Sequence, residues 1–342
     1  MFYQQIEKIN SDIDRTRKAI ITLGCSFTQG QGAVDGSLYE EYDWHFERVG
    51  VPIAPIVTPS QQQEILKKYP NVNIAFDKLD FTFMEYDNAF GNVLCSKYFN
   101  NEYACINFGN RGCGNRATIK ELYFHPELHW HNLDEIIVIY CPSGFERLDL
   151  VNDNWFSHNH WVCTWPHYKD VVPGPRKLLS EGYAKRVHST KFEIIEQISH
   201  VQELLTWCKA KNAKLIITPA FDRRYTRGHF SSNLFDSYGR DIEGNLNVVT
   251  KESNPDPRVM SELKRLLNLW PWEKHFFPDN FPTFADLCMG QEFPDDWESR
   301  HFFHYNGIFS PNKWITSCAH PSAKGHDLFA KKLYEHIQKE IL

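Results

Sequence analysis

The sequence predicts an α/β chain, a doubly wound parallel sheet with helices on both faces, giving three layers. Three observations lead there. Four short aliphatic or β-branched runs are each followed by turn residues, as strands buried on both faces are. Helical stripes lie between the runs, and one further helix closes the chain. The runs are Ala19–Gly24, Tyr103–Phe108, Glu135–Tyr140 and Lys214–Thr218.

The helices follow from apolar spacing. Asn88–Tyr98 and Asn115–Phe124 carry short helical patterns, and Lys191–Lys211 carries a long one. In the last, Ile194, Ile195, Ile198, Val201, Leu204, Leu205 and Cys208 recur at steps of one to four and form one stripe. The closing helix is expected at about His326–Ile341, with Leu328, Phe329, Leu333 and Ile337 inward. Three stretches interrupt the alternation, at 31–86, 152–189 and 225–312. The strand pattern resumes after each, so they read as insertions in one domain covering 1–342. The last holds turn signals such as Asn254-Pro255-Asp256-Pro257 and a short helical pattern near Pro257–Leu269. Loops at the carboxyl ends of parallel strands share one rim, so the insertions are expected near one another.

Composition narrows the function. Lys and Arg total 37 against 43 Asp and Glu, a net charge of −6, which argues against a nucleic-acid partner because that needs a basic footprint. No apolar run reaches the length of a membrane span. The first residues are polar and mixed in charge, unlike a secretory signal, and the expected location is cytoplasmic. Nine cysteines at no finger-like spacing read as reduced thiols.

Two segments carry candidate chemistry. The first strand runs into Gly24-Cys25-Ser26-Phe27-Thr28-Gln29-Gly30, which sets a serine just beyond a strand end, where open α/β sheets form sites. The alternative is a turn whose serine caps the next helix. The glycine spacing is not that of the G-x-S-x-G elbow. Near the other end, Ala319-His320-Pro321-Ser322-Ala323-Lys324-Gly325-His326 leads into the closing helix.

Together these blocks resemble the SGNH (GDSL-type) serine hydrolase superfamily, with its nucleophile in a turn after strand one and its histidine before a proline near the last helix. The pairing of G-C-S-F-T-x-G with H-P-S-x-x-G-H is similar to a divergent, phage-like branch. The resemblance covers the core from Ala19 to Leu342 and leaves out the insertions. It implies Ser26 as nucleophile and His320 as general base. It also implies an oxyanion site from the amides of Ser26 and Gly112, the latter in Asn107–Asn115, with the Ser143 hydroxyl in Cys141-Pro142-Ser143-Gly144. Two positions depart from the superfamily pattern. Ser143 stands where an oxyanion-binding Asn is usual, and Ser317 where an Asp usually supports the histidine. Candidate replacements for that acid are a main-chain carbonyl near Thr316 or Ser317, or Asp222, Asp286 or Asp296.

The implied reaction is hydrolysis of a small acyl ester through an acyl-enzyme, acetyl first among the acyl groups, with no cofactor. Arg147 can meet an anionic substrate group or serve packing and an ion pair, and Asn115 and Arg111 can shape the pocket. For Asn115, capping the helix is the leading alternative. His326 is expected to be structural. Cys25, Cys113, Cys141 and Cys318 fall in the motif blocks, and a zinc site there is the less favoured alternative, since no pair has C-x₂₋₄-C spacing. The histidines at 125, 129 and 131, at 158 and 160, and at 301 and 304 read as surface or loop residues. Many of the ten tryptophans, among them Trp155, Trp161, Trp165, Trp270, Trp272 and Trp297, lie in the insertions. They supply small local cores or, on a rim, stacking platforms for an acetylated glycan. The rival function is a fold-retaining structural or binding protein without turnover, such as a virion component with contacts to other subunits or copies through the insertions.

Overall fold

A computed structural model of the chain describes residues 5–33, 59–68, 73–75, 78–80, 82–110, 113–144, 147–151, 161–164, 190–221, 276, 281, 283–292, 294–295, 314 and 320–342. In chain order the elements begin with α1 (Ile6–Thr16), β1 (Lys18–Gly24) and α2 (Ser26–Gln29). Next are α3 (Pro59–Lys68), β2 (Asn73–Ala75), β3 (Lys78–Asp80) and α4 (Thr82–Asp87). Then come α5 (Phe90–Val93), continued by a π-helical turn at Leu94–Tyr98, β4 (Ala104–Asn107), α6 (Asn115–Phe124) and β5 (Glu135–Cys141). After these follow β6 (Leu148–Val151), β7 (Trp161–Thr164), α7 (Thr190–Ala210), β8 (Lys214–Ile217), α8 (Phe284–Glu292) and α9 (Ala323–Glu340).

The four expected strands form one parallel sheet in the order β4-β1-β5-β8. Every residue of β1 after Lys18 is buried, which is why the run is apolar but for Thr22 rather than alternating. Side chains leave the two faces in turn. Ile20, Ile137, Ile139 and Ile216 join one core with α5, α8 and α9, through residues such as Phe90, Phe284, Phe329 and Leu333. Ile21, Leu23, Val138, Tyr140 and Ile217 join a second core with α1, α6 and α7, through Ile9, Ile13, Ile119, Val201 and Leu204. The architecture is therefore three-layered, as the sequence predicts. Strand order reverses between β1 and β5, and in such sheets the crevice outside the carboxyl ends at that point is where ligands bind.

Helix α6 has the expected bounds, and α7 is displaced by one residue. On α7, Ile195 is exposed instead of joining the buried stripe. Helix α9 starts three residues earlier than expected because the Ser322 side chain accepts a hydrogen bond from the Gly325 amide and caps it. Within the 31–86 stretch, β2 and β3 form an antiparallel pair, and β6 pairs antiparallel with β7 from the second insertion. The helical pattern near Pro257–Leu269 lies outside the described residues. Among the described residues, no helix is long and apolar enough to cross a membrane.

Candidate active site

The Ser26 turn is shaped by what surrounds it. Cys25 takes the cap position of α2 in an extended conformation, so Ser26 is the first helical residue and its hydroxyl is not the cap. The short helix closes at Gly30, whose φ of 96° is left-handed, with the Gly30 and Gln31 amides both returning to the Ser26 carbonyl. Gly24 allows close approach: a Cβ there would lie 2.0 Å from Thr28 Oγ1 and 2.7 Å from the Cys141 carbonyl oxygen.

His320 reaches this turn from just ahead of α9. Its Nε2 stands 2.8 Å from Ser26 Oγ, and the serine is 6% exposed. The imidazole also packs beside Phe27, with ring centroids 5.1 Å apart. Phe27 in turn contacts Phe221 and Phe284, so this neighbour of the pair is anchored in the core. The Pro-Ser-x-x-Gly sequence after His320 is needed locally. The Ser322 amide donates to the Trp314 carbonyl at 2.9 Å, and a Cβ on Gly325 would lie 2.7 Å from the same oxygen. A hydroxyl against an imidazole nitrogen at this distance is the arrangement for general-base removal of the serine proton.

His326, expected to be structural, is fully buried. Its Nδ1 accepts a hydrogen bond from the Phe90 amide at 3.1 Å, tying α9 to α5. Burial, followed by the nearby His320, pushes its pKa down to about 3, so it is neutral.

Among the described residues, the other candidate side chains are engaged within the protein. Ser143 is buried, and its hydroxyl lies 3.2 Å from Asn115 Oδ1 and 3.5 Å from the Cys113 carbonyl. A hydroxyl has one proton, and here two acceptors within the protein lie within its reach. Asn115 is not the helix cap: Gly114 holds the cap position of α6, and Asn115 turns its amide to Ser143. The carboxylate serving that helix start is Asp149, on β6, which the sequence reading did not single out. Its Oδ1 accepts from the Gly114 amide at 2.7 Å and its Oδ2 from the Ala117 amide at 2.9 Å.

Arg147 donates from Nη1 to the Cys113 carbonyl at 2.8 Å and lies over the Phe221 ring at 5.6 Å. This is the packing role, with the guanidinium directed to main chain. Asp286 accepts from the Thr283 hydroxyl at 2.7 Å at the start of α8. Asp222, Asp296, Arg111, Gly112, Thr316, Ser317 and Cys318 lie outside the described residues. Cys25 and Cys141 are fully buried in the core, and burial holds the Cys141 thiol well above its ordinary pKa. Among the described residues no group of His, Cys, Asp and Glu is placed to hold a metal ion.

No family model matches the chain, and no curated protein matches it in sequence. Among solved structures, one similar chain is described as a carbohydrate esterase whose active site displays divergent catalytic and non-catalytic binding functions. It is 11% identical with a TM-score of 0.39, and the alignment covers 95% of this chain and 66% of that one. Another is a mutant of Axe2, an acetyl-xylooligosaccharide esterase from Geobacillus, 14% identical with a TM-score of 0.36, covering 94% of this chain and 95% of that one. Likeness at this level leaves the chemistry to be argued from the residues themselves.

Proposed function

We propose that this chain is an SGNH-like serine esterase that hydrolyses a small acyl ester, with acetyl as the acyl group. One observation carries the reading: Ser26 Oγ and His320 Nε2 are within hydrogen-bond reach, beside the switch point of the sheet. His320 takes the Ser26 proton as the oxygen attacks the ester carbonyl. The imidazolium then protonates the departing alkoxide, leaving an acyl-serine. Water, deprotonated by the same imidazole, attacks the acyl-serine and releases the acid. The Ser26 amide is the first oxyanion donor in this scheme, since an amide at the first position of a helix has no intrahelical acceptor. Gly112 is the second, from the resemblance of its block.

Acetylated carbohydrate is the candidate substrate class to test first, on the aromatic content of the insertions, whose other use is to build local cores. The second reading, a binding protein without turnover, draws on the engaged Ser143 hydroxyl and on Ser317 standing where an Asp is usual. Hydrolysis of p-nitrophenyl acetate and of an acetylated xylo-oligosaccharide decides between them. Turnover abolished by Ser26→Ala supports the esterase. Equal rates for wild type, Ser26→Ala and His320→Ala support the second reading. Turnover of the aryl ester without the glycan removes the carbohydrate assignment alone.

A further inference from the structure

The first turn of α6 is held from outside its own helix. Asp149 reaches it from β6 and is almost wholly buried, its two oxygens divided between the Gly114 and Ala117 amides. Two residues earlier on the same segment, Arg147 takes the Cys113 carbonyl. The fit around the carboxylate is tight, since a Cβ on Gly114 would lie 2.5 Å from Asp149 Oδ2. What this clamp holds in place abuts the serine turn. Thr118 Oγ1, which donates to the Gly114 carbonyl at 2.9 Å, lies 3.5 Å from the Gly24 carbonyl, and the Asn110 amide donates to that same oxygen at 3.1 Å. Asn115, the first residue of α6, clasps Ser143 beyond the end of β5. The start of α6 therefore spans the ends of β1 and β5, beside Ser26.

We infer that Asp149 is a positioning residue for the Ser26 centre. Its carboxylate fixes the Cys113–Asn115 main chain and the Asn115–Ser143 clasp against the carboxyl end of β1. This rests on the esterase reading above. Displacement of such a wall by about 1 Å costs on the order of 10²-fold in rate. The loss is expected in kcat, with KM little changed, because Asp149 is buried with both oxygens on main-chain amides. The acid limb of the pH profile should keep its wild-type position, because the Ser26–His320 pair is not altered.

The test is a double-mutant cycle on p-nitrophenyl acetate hydrolysis, with Asp149→Ala, Gly114→Ala, the double variant and Ser26→Ala as control. Gly114 has φ of −87°, which alanine accepts, so its methyl acts by displacing the carboxylate. Each single variant is expected to lower kcat by about 10²-fold. The double variant should be no slower than Asp149→Ala, since the two changes remove one interaction. Circular dichroism and thermal melting establish which variants are folded, and Gly114→Ala keeps every polar group should Asp149→Ala unfold. Folded variants with wild-type kcat, or losses that multiply in the double variant, overturn the positioning role and leave the esterase standing. Wild-type turnover equal to that of Ser26→Ala overturns the esterase reading, and the positioning role with it.

Discussion

Ser143 and Asn115 hold each other through three hydrogen bonds: the Ser143 amide and hydroxyl both donate to Asn115 Oδ1, at 2.7 and 3.2 Å, and Asn115 Nδ2 donates to the Ser143 carbonyl at 3.2 Å. Ser143 is thus the partner of an asparagine on the neighbouring helix.

This clasp makes opposite predictions for two roles of one hydroxyl. A direct oxyanion donor, once deleted, costs about 10²–10³ in kcat. A hydroxyl that only supports Asn115 costs about 1 kcal/mol of stability and less than about tenfold in rate. Ser143→Ala is expected to fall in the second class, measured by steady-state kinetics and thermal melting. Asn115→Ala should be the more damaging change, because it leaves the buried Ser143 amide without its acceptor.

Gly24 makes a sharp stability prediction. A methyl there meets the Cys141 carbonyl oxygen at 2.7 Å, an atom of the adjacent strand that cannot swing aside as a side chain does. Gly24→Ala should destabilise the fold by about 3 kcal/mol, seen in urea denaturation. An unchanged midpoint contradicts the close approach.

His326 predicts sensitivity to acid. Its folded pKa of about 3 lies below the ordinary value of 6.5, so the folded state binds fewer protons than the unfolded chain over that interval. The stability tied to its neutrality is complete above about pH 6.5 and is lost as pH falls toward 3. His326→Gln retains an acceptor for the Phe90 amide and does not titrate. Its acid-unfolding midpoint should move to lower pH, and a midpoint that stays or rises contradicts the assignment.

His125 behaves in the opposite sense. It is buried and stacked on Phe108, with Glu121 2.8 Å from Nε2 and Glu127 3.0 Å from Nδ1. Burial alone pushes its pKa down, but the two carboxylates outweigh burial and raise it above 6.5. The stabilisation is present in full below pH 6.5 and is lost as pH rises through the raised value. Glu121→Gln should lower the His125 midpoint in an NMR titration, and an unmoved midpoint contradicts the pairing.

The sheet was readable because strands buried on both faces leave uninterrupted apolar runs, as Ile136–Tyr140 do. Helix α1 is not legible in the sequence. Its buried residues, Ile9 and Ile13, sit with Ile6 at spacings of three and four, but polar residues fill the rest and hide the stripe. The helix expected at Asn88–Tyr98 starts at Phe90 and changes to a π turn at Leu94, a change in hydrogen-bond register that apolar spacing does not encode. Ser26 and His320 are singled out only through the resemblance of their two blocks, since a serine after a strand reads on its own as a turn or a cap. Asp149 is not, because its partners are main-chain amides more than thirty residues away, and a single Asp in a strand-like run gives no hint of them.

The account depends most on Ser26 being a nucleophile made reactive by His320. Labelling with a fluorophosphonate, followed by peptide mass spectrometry, measures this directly. The prediction is one adduct on the peptide containing Ser26 in the wild type and none in Ser26→Ala. In His320→Ala, labelling should be slower by about 10²–10⁴-fold, the usual contribution of a general base. A wild type that labels no faster than His320→Ala, or an adduct on another residue, would contradict the account.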